Sequence, residues 1–100
     1  VNEPIETARE LLRRMQQAPA SELPALADDF LLFLTRLKES YSVVESTSRL
    51  ITGRSFAVLQ AVISDLESAP DATMRNEETV KFLRTLLEEI VRGSLVIQKK

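Results

Sequence analysis

Leu23, Leu26, Phe30, Phe33, Leu34, Leu37, Tyr41 and Val44 fall on one side of a helical wheel, and Ile51, Val58, Leu59, Val62 and Leu66 keep the same phase. Apolar spacing near 3.6 residues, sustained over this much of a chain of 100 residues, commits it to helices. A single helix from 22 to 69 is too long for one small domain, so the pattern must break. Two places compete. Ser42 and Glu45 form a capping box beside Ser40, and Gly53 is a natural helix stop. A break near residue 40 gives helices of more similar length. Breaks at both places give five helices in all.

The flanking segments read in the same way. Ile5, Ala8, Leu11, Leu12 and Met15 share a narrow arc, and Glu6, Arg9, Glu10, Arg13, Gln16 and Gln17 cover the rest. Pro4 suits a first helical turn, with Asn2 or Glu3 just ahead of it, so the spacing predicts a helix over Pro4–Gln17. Ser21 is a candidate cap for the second helix. Ala69-Pro70-Asp71-Ala72 predicts a helix end and a loop. Asn76 is a candidate cap for a last helix carrying Val80, Phe82, Leu83, Leu86, Leu87, Ile90 and Val91, with Glu77 and Glu78 matching the dipole at its start. Glu45–Arg49, Glu77–Lys81 and Glu88–Arg92 have the i,i+4 order that supports a helix. The expected fold is all-α: one domain over 1–100, an antiparallel bundle of four helices, or five. Two glycines and four prolines are too few for a turn-rich sandwich or barrel. Leu, Ile, Val and Phe supply 32 of the 100 residues, above the level of disordered chains, so a core is expected.

Composition narrows the chemistry. There is no cysteine and no histidine, hence no disulfide, no thiol nucleophile and no imidazole base or ligand. A di-metal bundle site wants Glu-x-x-His ligands, so neither metal nor cofactor is expected. Asp28-Asp29, Glu77-Glu78 and Glu88-Glu89 are sequence neighbours, which diverge on a helix and make no acid–base pair. Thirteen basic residues against fifteen acidic ones, with no basic half or tail, speak against nucleic acid. The longest uncharged stretch, Ser55–Ser64, falls far short of the ~20 residues that span a bilayer, so no membrane role is expected and the location is read as cytoplasmic. The chain opens on Val1 and closes just after a running apolar pattern, Leu95-Val96-Ile97, as a domain cut from a longer protein would.

Phe30-Leu31-Leu32-Phe33-Leu34 is the feature that bears on function. Five consecutive apolar residues leave a helix no polar face for more than a turn. Either the other helices wrap this one completely, or part of the run meets something outside the fold. A small bundle has little chain for wrapping. Leu31, Leu32 and Phe33 are therefore the expected protein-interaction residues, with Asp28, Arg36 and Lys38 supplying charge around them. The expected function is a non-catalytic interaction module, acting by self-association, with a dimer as the expected form, or by docking a partner helix. A regulatory or accessory domain of a larger enzyme is one alternative. A helical enzyme using Arg9, Arg13 and Arg14 on an anionic substrate is another.

Three smaller features have plainer readings. Ala57, Ala61, Ser64 and Ser68 form a strip of small residues expected to pack tightly inside the bundle, with a docking groove as the alternative. The hydroxyl-rich stretch from Ser40 to Ser55 reads as a solvated face or a soft segment. Thr52-Gly53-Arg54-Ser55 resembles an anion-holding helix start but reads as a plain junction.

Overall fold

The computed structural model describes residues 3–100, and Asn2, a candidate cap, lies outside the described residues. Helix α1 spans Glu3–Gln17 and buries Pro4, Ala8 and Leu11. Pro19 follows it, leading into a 3₁₀ turn at Ala20–Glu22. Helix α2, Leu23–Ser40, starts with Pro24 in its first turn, where the missing N–H breaks no hydrogen bond. Ser21 sits inside the 3₁₀ turn and caps nothing: the residue before α2 is Glu22, with no side-chain cap. α2 buries Leu26, Ala27, Phe30, Phe33, Leu34 and Leu37, the periodic stripe of its sequence.

The chain leaves the helical region at Tyr41, whose backbone is extended (φ −128°, ψ 154°). Strand β1, Tyr41–Ser46, pairs antiparallel with β2, Leu95–Lys99, at the far end of the sequence. Ser42 faces Gln98 and Val43 faces Ile97; beyond a bulge at Val44, Glu45 faces Val96. β1 stands where the periodicity predicted helix. Tyr41 and Val44 share a helical phase because three residues bring a helix most of the way round, but the same short run satisfies an extended chain. β-Branched Val43, Val44, Val96 and Ile97 fit the pleated surface. In the strand the buried residue is Val43, while Val44 is exposed. The Ser42–Glu45 box caps no helix, and Glu45 and Arg49, in a strand and a loop, have no i,i+4 relation.

Residues 47–58 are irregular and contain Gly53 at φ +106°; the break expected near residue 40 is present, whereas Gly53 lies within irregular chain and stops no helix. Helix α3 is Leu59–Ser68. Pro70 then opens a short helix α4, Pro70–Arg75, where the sequence suggested loop; the Thr73 hydroxyl donates to the Asp65 carbonyl at 2.9 Å and ties α4 to α3. Asn76 accepts from the amides of Glu78 and Thr79 at 3.0 and 3.1 Å and caps α5, Glu77–Arg92. Gly93, at φ 84°, stops α5 in the left-handed conformation and sends Leu95–Lys99 back onto β1.

The five helices form a compact bundle. α1 lies against α5, α2 against α3 and α4, and α4 against α5. One core joins them, with Phe30, Leu34, Leu59, Leu83, Leu86 and Leu87 fully enclosed. The strip Ala57, Ala61, Ser64 and Ser68 is exposed and does not pack inside the bundle as its small side chains suggested. α3 turns its other face, Leu59, Ile63 and Leu66, to the core.

Candidate functional site

α1 and α2 run antiparallel, as two ion pairs show. Arg36 of α2 meets Glu3 at the start of α1 at 3.2 Å, and Arg14 near the end of α1 meets Asp29 of α2 at 2.5 Å. Between these pairs lies a groove of about 380 Å³. Its apolar lining is Pro4 and Leu11 from α1 with Leu32, Phe33 and Leu37 from α2, closed by Tyr41. Pro4, Leu11, Phe33 and Leu37 are buried, whereas Leu32 is 54% exposed. Glu3, Glu6 and Glu10 follow one another along the α1 side.

The run Phe30–Leu34 is thus divided. Phe30 and Leu34 go into the core, and Leu31 is half-buried against it. Phe33 is 5% exposed and serves both core and groove. Leu32 projects at the groove's edge. The three interaction residues expected from sequence are not equivalent: Leu32 offers free area, Phe33 offers a wall, and Leu31 is engaged with its own fold. Of the expected charges, Arg36 lines the groove, while Asp28 and Lys38 do not. Sequence reading missed the α1 half of the groove, because a wheel drawn for one helix says nothing about the gap beside it.

Charge on α1 is locally organised. Arg9 pairs with Glu6 at 3.1 Å, and Arg13 pairs with Glu10 through two contacts. The hydrogen bond from Arg13, aided by the charges of Arg13 and Arg14, holds the Glu10 carboxyl below the usual carboxylate range; the same bond holds Arg13 above its ordinary value. All three arginines considered for an anionic substrate face carboxylates.

Other candidate features lie elsewhere. Arg54 and Ser55 line a shallow recess of about 200 Å³ with Lys38 and Lys100; the stretch Thr52–Ser55 opens no helix, since α3 starts at Leu59. Two hydroxyls of the hydroxyl-rich segment are engaged inside the fold, Ser46 donating to the Ile51 carbonyl of its own loop at 2.8 Å and Ser48 donating to Glu89 of α5. Of the adjacent acidic pairs, Asp29 is held by Arg14 and Glu89 by Ser48. Among the described residues no cluster of carboxylates is placed to hold a metal ion, and no helix is long and apolar enough to cross a membrane. Comparison with protein-family models, with curated proteins and with solved structures finds no match.

Proposed function

We propose that this chain is a protein-interaction module, without catalytic activity of its own, that docks a partner helix in the groove between α1 and α2. The observation that carries this reading is Leu32, more than half exposed beside the buried apolar lining of Phe33, Leu37 and Leu11. Leu32 is already nearly half covered, so completing its burial is worth roughly 1–1.5 kcal/mol, and a partner that also fills the groove gains more. The occupant is a helix for a physical reason. Both walls are helices whose backbone groups are bonded within themselves, so an extended segment in the groove finds no partners for its own amides and carbonyls. A helix brings its backbone already satisfied and needs only an apolar stripe.

A neutral amphipathic peptide, with Leu and Phe at i, i+3, i+4 and i+7 and Gln elsewhere, tests this in an amide-resolved NMR titration. Shifts confined to α1 and α2, lost in Leu32→Glu with the spectrum of the fold intact, are expected. Shifts that miss both helices, or that survive Leu32→Glu, overturn the reading. Sedimentation equilibrium separates the self-association form: a dimer that Leu32→Glu dissociates assigns the groove to a second copy instead of a different protein.

A further inference from the structure

We infer that the helix received by this groove carries Lys or Arg along one edge of its apolar stripe, an inference that rests on the docking function just proposed. Glu3, Glu6 and Glu10 are spaced by three and four residues, so they form a continuous row on α1. All three line the groove, and Asp29 adds a fourth carboxylate from α2. Against these four the groove presents two guanidiniums, Arg14 and Arg36, each already facing a carboxylate at one of its ends. Between the ends, Glu6 and Glu10 have Arg9 and Arg13 as partners on the same helix, and neither arginine lines the groove. Those two pairs are more than half exposed, the kind of contact that water and salt already weaken. A cation on an incoming helix meets Glu6 and Glu10 from the groove side, where the docked helix itself excludes water.

The dimensions agree with that occupant. From Glu3 to Arg14 the α1 wall runs about 16 Å, the rise of three helical turns. The partner is therefore a short helical segment with apolar residues facing Leu32, Phe33 and Leu37, and with basic residues three or four apart facing α1. The opposite edge, beside Arg36 and Leu32, has no such requirement.

Three peptides of one apolar stripe, with the α1-facing edge made of Lys, Gln or Glu, decide the matter by fluorescence anisotropy. The Lys peptide is expected to bind about tenfold tighter than the Gln peptide at low salt, from a few exposed charge pairs, and the Glu peptide more weakly than either. The Lys advantage is expected to shrink as salt rises. It is expected to vanish in the doubly substituted Glu6→Gln, Glu10→Gln chain, whose fold is checked by circular dichroism. Equal binding of the Lys and Gln peptides overturns the basic edge and leaves helix docking standing. A Lys advantage that persists in the double variant also overturns it. Failure of all three peptides overturns the docking function itself.

Discussion

The hydroxyl of Ser48 accepts from the amides of Leu50 at 3.0 Å and Ile51 at 3.2 Å while donating to the carboxylate of Glu89. Glu89 is 8% exposed, so this donor is what a buried carboxylate needs in place of water. Ser48→Ala leaves the carboxylate and two amides short of a partner and is expected to cost about 1–3 kcal/mol in urea unfolding. Ser48→Thr, which keeps the hydroxyl, is expected to restore most of it; a fully stable Ser48→Ala chain contradicts this account. Glu10 illustrates the opposite case, an exposed charge. Its folded-state pKa lies below the ordinary 4.5, so the native chain binds its proton less readily than the unfolded chain does. The stabilisation from the Glu10–Arg13 pair is thus present above that ordinary value and lost as pH falls through the lowered one. Exposure makes it small and sensitive to salt. Glu10→Gln is expected to flatten the acid limb of the stability curve slightly, and about 1 M NaCl to do the same to the unaltered chain; an acid limb steeper in Glu10→Gln contradicts the sign.

At the scale of elements, the irregular segment 47–58 is fixed by what it plants in the core. Ile51 and Phe56 are buried, and Thr47 donates to the Ser94 carbonyl at 2.9 Å next to the β1–β2 pair. The two strands are short, and a two-stranded sheet is marginal without a face to pack on. Val43, Leu95 and part of Ile97 supply that face. Ile51→Ala is expected to destabilise by about 2–4 kcal/mol, as cavities of this size do, and to speed hydrogen exchange first in β1 and β2. Exchange that stays unchanged in the strands would show that the loop and the sheet are independent.

For the whole molecule, the question is how one core leaves an apolar groove open at its surface. α1 packs mainly on α5, and the contact between α1 and α2 is held at its ends by Arg14–Asp29 and Arg36–Glu3. The space between those ends is the groove. A leucine left half outside costs the lone chain little and gains the rest of its burial on association. The peptide titrations above therefore address the bundle as a unit, because Leu32 and the Glu3–Glu6–Glu10 row belong to different helices and meet only through packing.

Local sequence determined some helix ends and not others: Ser21 and the Ser42–Glu45 box carry cap chemistry and cap no helix. Pro4 and Pro24 in first turns, Asn76 as a cap and Gly93 as a stop each act within a few residues, and the core stripe of α2 follows from spacing alone. The apolar run Phe30–Leu34 left two outcomes open, complete wrapping or an outward side chain, and packing left Leu32 exposed. What local sequence did not reach depends on distance along the chain. Tyr41–Ser46 became a strand because Leu95–Lys99 came to lie beside it, a pairing that no helical wheel contains. The groove likewise depends on where α1 settles against α2. Such gaps are decided by how whole helices divide a limited core, and that division is a property of the packed chain.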